Sequence, residues 1–205
     1  MKTAVFYEHI LEGAKQSGKS VAELMEKCAS WNIRGIEIGD ALLRENKEEI
    51  RELLEKNHMQ VSCSNAFYDF GHNPDAAQGK KQIDLAEEFG VSKVLIIPGE
   101  LSENEASALN ALSASKAQTD SYMSENASIR NMVQALKELV AYGKEKNILV
   151  TLEDFDGPVQ PFALFQVQLS FQVQPLFQVQ LSFQVQPLFQ AAKDFRRRSY
   201  QRVPV

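Results

Sequence analysis

Segments with the character of buried strands alternate with segments of helical periodicity over the first 156 residues. The apolar runs of strand length are 3–10, 33–39, 59–70, 92–99 and 148–156, and the amphipathic segments are 20–31, 47–57, 79–90 and 127–147. This alternation predicts a parallel sheet covered by helices, because each helical crossover returns the chain to the same end of the sheet. The sequence therefore indicates an α/β fold built from about five β/α units.

One helix and one long connection are marked by local signals. Ser20 followed by Glu23 has the spacing of a capping box and predicts a helix that begins at residue 21. Residues 100–125 are rich in Ser, Asn and Ala, and they exceed the usual length of a connection between elements. A lid over a binding site and an uninvolved surface excursion are the two interpretations of this segment.

Polar residues follow the predicted strands, and they favour a barrel over an open sheet. No G-x-G-x-x-G or Walker A run follows any strand, so the usual sign of a nucleotide-binding open sheet is missing. A (β/α)8 barrel has its active site at the carboxyl ends of its strands. The polar residues at these positions are Glu37 and Asp40 after the second strand, Asp69 and His72 after the third, Glu100 after the fourth, and Glu153, Asp154 and Asp156 after the fifth.

Four stretches, "GIEIGD", "FYDFGHNPD", "VLIIPG" and "VTLEDFDG", occur in this order and together resemble the sugar phosphate isomerase/epimerase family of xylose isomerase-like barrels over about residues 1–162. The resemblance implies a (β/α)8 barrel with a divalent metal, Mn, Mg, Co or Zn, held by two glutamates, an aspartate and a histidine from the last four strands. Glu153 is the only member of that set in this sequence. We therefore expect the metal to be held weakly or not retained.

The resemblance also assigns roles to individual residues. It makes Glu153 a metal ligand and the catalytic base that moves a proton beside the substrate carbonyl, whereas the bare sequence allows a loop carboxylate in water equally well. The loop that carries His72, after the aromatic exit of the third strand, suggests contact with the substrate. A metal ligand and a structural loop histidine are the alternatives for this residue. His9 and Glu37 are weaker candidates for substrate binding. The expected ligand is a small sugar or sugar phosphate.

The chain after the fifth strand has a different composition. We divide it into a barrel-like part at 1–162, a tandem twelve-residue repeat at 163–190 and a basic tail at 191–205. The repeat, in which apolar residues or Pro alternate with Gln or Ser, has β-type alternation, and residues 157–192 contain no charged side chain. We expect self-association through 164–190, because uncharged alternating segments pair with open sheet edges.

A complete barrel needs about 250 residues, so strands six to eight are expected to be missing. The leading expectation is a metal-dependent sugar or sugar-phosphate isomerase or epimerase that is impaired or inactive as this chain. One alternative is an endonuclease acting at abasic DNA sites, and another is a non-catalytic interaction fragment. Residues 1–192 hold 17 basic and 26 acidic side chains, a formal charge of −9, which opposes binding to nucleic acid. We expect a cytoplasmic location and no membrane partner.

Overall fold

The computed structural model describes residues 3–112 and 115–152 of the chain. The strands are β1 (Ala4–Phe6), β2 (Gly35–Gly39), β3 (Gln60–Phe67), β4 (Lys93–Ile97) and β5 (Leu149–Leu152). The helices are α1 (Tyr7–Ser17), α2 (Val21–Ser30), α3 (Asp40–Glu45), α4 (Lys47–Asn57), α5 (Ala77–Glu88), α6 (Glu103–Leu112), α7 (Lys116–Glu125) and α8 (Ala127–Glu145).

The five strands form one parallel sheet in the order β1-β2-β3-β4-β5. Sequential order with every pair parallel is the arrangement of a barrel, since a doubly wound sheet reverses its strand order at one point. The prediction of a partial (β/α)8 barrel with about five units is therefore confirmed. Glu153, the repeat at 163–190 and the tail at 191–205 lie outside the described residues.

The two faces of the sheet differ in burial. Residues paired across neighbouring strands point to the same face, and one face carries side chains without solvent exposure, namely Ile36, Ile38, Ser64, Val94 and Ile96. This face, called the helix face here, packs on the helices and forms the core with α5 and α8. The opposite face, which would line the interior of a closed barrel, is called the inner face here. Its residues include Phe6, Glu37, Asn65, Phe67, Leu95, Leu149 and Thr151.

The first strand is shorter than the sequence predicts. The apolar run 3–10 is a strand only at Ala4–Phe6, and α1 begins at Tyr7. Tyr7 and Ile10 are both buried, a spacing of three that places them on one side of a helix. The prediction from the continuous apolar run was therefore wrong after Phe6. The apolar residues from Tyr7 onwards have the spacing of a helix, and the chain is helical to Ser17.

Residues 100–125 also differ from the expectation of a long connection. The described residues of this segment include α6 and α7, and Leu109 and Met123 from these helices are buried in the core. Ser102 and Glu105 supply the start signal of α6, since each side chain bonds the other's backbone nitrogen. The described part of this segment is therefore packed against the body of the protein, and the choice between a lid and a surface excursion stays open.

Candidate active site

The strand exits place Asp69 and His72 at the carboxyl edge of the sheet. His72 Nδ1 lies 2.8 Å from Asp69 Oδ1, and the two side chains are 65% and 63% exposed. The hydrogen bond to Asp69 and the negative charge of that carboxylate raise the pKa of His72, and the Glu105 carboxylate adds to the effect. Because Nδ1 is engaged by Asp69, Nε2 is the ring nitrogen available to a ligand.

The turn that carries this pair is held by three hydrogen bonds, two from β4 and its exit and one from α8. Its start continues the pairing of β3 with β4, because the Tyr68 and Phe70 amides donate to the carbonyls of Ile97 at 2.8 Å and Pro98 at 3.0 Å. From α8, Asn131 Nδ2 donates to the Gly71 carbonyl at 2.9 Å. The Asp69–His72 pair is therefore exposed in its side chains but held in its backbone.

Gly99, at the exit of β4, lies directly against this turn. Its φ is 116°, a conformation that L-residues rarely adopt, and a Cβ built there would lie 3.0 Å from the Tyr68 carbonyl oxygen and 3.2 Å from Asp69 Cα. Only a residue without a side chain allows the two exits to approach this closely. The position of Asp69 thus depends on a glycine in the neighbouring exit.

Glu105 is a residue that the sequence analysis missed. Its carboxylate accepts hydrogen bonds from the Ser102 amide at 2.9 Å, Ser102 Oγ at 2.7 Å, Asn126 Nδ2 at 2.9 Å and Ser128 Oγ at 2.8 Å. The Ser102 hydroxyl, followed by the Asn126 amide and the Ser128 hydroxyl, lowers the pKa of Glu105 to about 2. The carboxylate therefore ties α6 to α8 as an anion near His72. The Ser-x-x-Glu spacing at 102–105 was the signal that could have found it.

Glu37 lies on the inner face between Phe6 of β1 and Cys63 of β3, at a shift in the β2–β3 register. Two further polar groups lie at the exit of β2. Glu8 Oε1 accepts from the Gly39 amide at 2.9 Å, and a Cβ on Gly39 would lie 3.9 Å from Asn65 Oδ1. Sequence reasoning overlooked Glu8 because its partner is 31 residues away. Together these groups place oxygen atoms along the carboxyl edge.

The structure places His9 beside Phe6, at the end of β1. It belongs to the first turn of α1, is exposed, and lies edge-on to Phe6 with ring centroids 5.4 Å apart. It also lines a cavity of about 200 Å³ beside α2, together with Val5, Ile10, Leu24, Lys27, Cys28 and Trp31. His9 therefore flanks β1, whereas Asp40, another predicted strand-end acid, begins α3 and pairs with Arg44 at 2.7 Å.

A metal site requires donor side chains that lie close together. Within residues 3–112 and 115–152, no three His, Cys, Asp or Glu side chains are close enough to hold one metal ion. Catalytic Zn²⁺ sites use three protein ligands, whereas Mg²⁺ is often held by only one or two carboxylates. The expected metal stays a prediction, because Glu153, the residue on which it depends, lies outside the described residues.

Several solved structures have the same fold as this chain. No curated protein matches its sequence. D-psicose 3-epimerase from Clostridium cellulolyticum, solved with D-tagatose, has a TM-score of 0.52 at 12% identity, covering 85% of this chain and 60% of that one. A D-psicose 3-epimerase solved with D-fructose also scores 0.52, at 10% identity and with 83% and 59% coverage. A sugar phosphate isomerase/epimerase from Parabacteroides distasonis scores 0.49 at 14% identity, with 78% and 57% coverage.

The chain thus spans about 60% of the length of these structures. At such low identities the likeness concerns the fold alone, and it agrees with the sequential parallel sheet described above. Among the helices of the described residues, none combines the length and apolar character needed to cross a membrane. The sequence profile of the xylose isomerase-like TIM barrel family matches residues 25–165, and this chain belongs to that family.

Proposed function

We propose that the chain binds a small sugar at the carboxyl edge of its sheet and derives from a sugar or sugar-phosphate isomerase or epimerase. The observation that carries the proposal is the Asp69–His72 pair at 2.8 Å, in a member of a family whose fold has its active site at this edge. The D-psicose 3-epimerases of the same fold were solved with ketoses, which supports a sugar as the ligand class.

The inner face offers the two kinds of contact that a sugar requires. Phe6 and Phe67, the last residues of β1 and β3, are 44% and 62% exposed. Aromatic rings can pack against the C–H groups of a sugar ring, and a few polar groups then fix its orientation. Glu37, Asn65 and His72 supply such polar groups at the same edge.

The charges at this edge favour a neutral sugar over a sugar phosphate. Glu8, Glu37 and Asp69 are carboxylates, and carboxylates that line one edge repel a phosphate group. In the proposed mode of binding, Asp69 accepts from Nδ1 of His72. Nε2 then donates to a sugar hydroxyl when the ring is protonated and accepts from one when the ring is neutral. Asp69 thereby fixes the orientation of the imidazole ring before the ligand arrives.

Glu153 is proposed as the general base, because it directly follows β5 in the sequence and because of the family resemblance. The family ligand set has one member in this sequence, so we propose slow turnover or none. The divalent metal stays a prediction. Metal analysis of the purified chain would measure the bound metal directly. We keep cytoplasmic location as a prediction too.

Binding can be measured by ligand-observed NMR with the full chain, a ketose and the phosphate ester of the same ketose. We expect the ketose to bind more strongly, and His72→Ala to weaken binding by about tenfold, the loss of one hydrogen bond to a polar or charged group. The control is His58→Asn. His58 precedes β3 at the opposite edge and has a φ of 51°, which Asn tolerates.

Equal binding of the ketose by wild type and His72→Ala would contradict the assignment of the site. Binding of the phosphate ester alone would contradict the argument from charge. Duplex DNA serves as a third ligand for the endonuclease alternative. Binding to DNA that falls steeply with added salt would favour that alternative.

We also propose self-association through residues 164–190. The sheet has β1 at one end and β5 at the other, and each pairs with a single strand among the described residues. Unpaired strand edges and uncharged alternating segments are both prone to intermolecular pairing. The test compares the full chain with a variant carrying Val167→Lys, Phe171→Lys, Val179→Lys and Phe183→Lys. Equal amounts of monomer in both at micromolar concentration would refute the proposal.

A further inference from the structure

A fully buried amide connects α5 to the β3 exit. Gln82 of α5 has no solvent exposure, and its Oε1 accepts from the Tyr68 hydroxyl at 2.9 Å. Its Nε2 donates to the Ser64 carbonyl at 3.0 Å and also approaches the Leu95 carbonyl at 3.4 Å. One side chain thus joins the strand β3, its exit and the neighbouring strand β4.

Stability alone does not call for a polar residue at this position. Burial of an amide is unfavourable unless it is hydrogen-bonded, and even a satisfied bond contributes only about 1 kcal/mol net. An apolar side chain of similar volume would fill the same space in a core that already includes Ile83, Leu85 and Ala86 of α5. What Gln82 adds is a fixed place for the Tyr68 hydroxyl.

Tyr68 transmits that constraint to the exposed pair. Its ring stacks on Phe70 at a centroid distance of 4.7 Å, and Phe70 is buried. Successive residues of an extended segment point to opposite sides. With residues 68 and 70 anchored towards the helices, Asp69 therefore points away from them, at the carboxyl edge of the sheet. Asp69 Oδ1 then meets His72 Nδ1.

The hydroxyl of Tyr68 remains a donor throughout the accessible pH range. Burial raises its pKa above the usual value for tyrosine, the charge of Asp40 adds to the rise, and that of Arg44 opposes it. Tyr68 therefore stays neutral under the conditions in which His72 titrates.

We propose that Gln82 and Tyr68 are positioning residues, which hold the β3 exit so that Asp69 meets His72. The inference rests on the proposed function in taking His72 as the group that faces the ligand. Its experiment requires no ligand, so a failure of sugar binding and a failure of the positioning network are distinguishable.

The test is an NMR titration of His72 in the full chain, with His72→Ala used to assign its signal among the three histidines. Asp69 and Glu105 are the acidic groups acting on His72, and both are retained in every variant. We expect the pKa of His72 to fall towards its ordinary value of about 6.5 in Tyr68→Phe and in Gln82→Leu. Tyr68→Phe preserves the stacked ring, so it tests the hydroxyl without removing the packing.

Two controls separate positioning from a general loss of stability. The Ser64 hydroxyl is buried and has no hydrogen-bond partner among the described residues, so Ser64→Ala leaves the carbonyl that Gln82 uses and should not change the pKa of His72. Ile83→Val removes one buried methyl group beside Gln82. An unchanged pKa of His72 in folded Tyr68→Phe would overturn the proposal, and so would an equal fall in Ile83→Val.

Discussion

Gly99→Ala should be far more damaging than an alanine at an ordinary left-handed glycine, because two separate penalties coincide there. The φ of 116° is strained for any residue with a side chain, and strain of this kind costs about 1–3 kcal/mol. The new Cβ would also lie 3.0 Å from the Tyr68 carbonyl oxygen and 3.2 Å from Asp69 Cα. Both contacts are with backbone, which cannot rotate away as a flexible side chain would.

We therefore expect Gly99→Ala to lower the free energy of unfolding by about 3 kcal/mol or more, with the two penalties summed. With a urea dependence of about 1–3 kcal/mol per molar, the unfolding midpoint should fall by about 1–3 M. The displaced exit should also separate Asp69 from His72. The pKa of His72 should then fall towards its ordinary value.

The matched control is Gly90→Ala. Gly90 has a φ of 65°, and no atom lies within 4 Å of a Cβ built there, so this variant measures left-handed strain without a contact. Its expected cost is about 1 kcal/mol. Equal urea midpoints for the two variants would refute the reasoning, because the contacts with Tyr68 and Asp69 would then have no measurable cost.

The remaining predictions concern α6 and α8. The pKa of Glu105 is lowered to about 2 in the folded chain, so its contribution to stability is present above the unfolded value near 4.5 and is lost as pH falls towards 2. Between pH 5 and pH 2, unfolding measurements should show a steeper loss for wild type than for Glu105→Gln, and parallel curves would contradict this. Leu139→Ala should lower the free energy of unfolding, measured in urea, by about 2–5 kcal/mol. Leu139 is fully buried and packs so closely against Gly79 that a Cβ on that glycine would lie 2.7 Å from the leucine side chain. A change at the exposed neighbour Val140 to Ala should cost under about 1 kcal/mol, and similar losses for both variants would refute the packing argument.

The sequence predicted those elements whose signals are local. The Ser20–Glu23 capping box is present with both of its hydrogen bonds, and α2 begins at Val21 as expected. The second to fourth strands agree with the apolar runs to within a few residues at their ends, and the fifth agrees at its start. These features depend on hydrogen bonds and periodicities that span four residues or fewer, which is the range over which sequence patterns are informative.

The candidate site was predicted in position rather than in detail. Strand-end acids placed it at the carboxyl edge, but the partners of Glu8 and of Gly71, 31 and 60 residues away, are fixed by tertiary packing alone. Local signals were also read incompletely. The Ser102–Glu105 spacing is identical to that of the recognised Ser20–Glu23 box, and applying the same rule would have predicted α6.

The exit of β3 separates the residues that determine stability from those available for chemistry. Tyr68 and Phe70 point towards the helices and contribute to packing, whereas Asp69 and His72 are about two-thirds exposed. Substitution of an exposed residue with few contacts usually changes stability by less than about 0.5 kcal/mol. Asp69 and His72 can therefore be replaced with little effect on the fold, while a change at Tyr68 or Gln82 affects the core and the site together. This division explains how a barrel of this type can keep its architecture while the groups at its mouth, and hence its ligand, change.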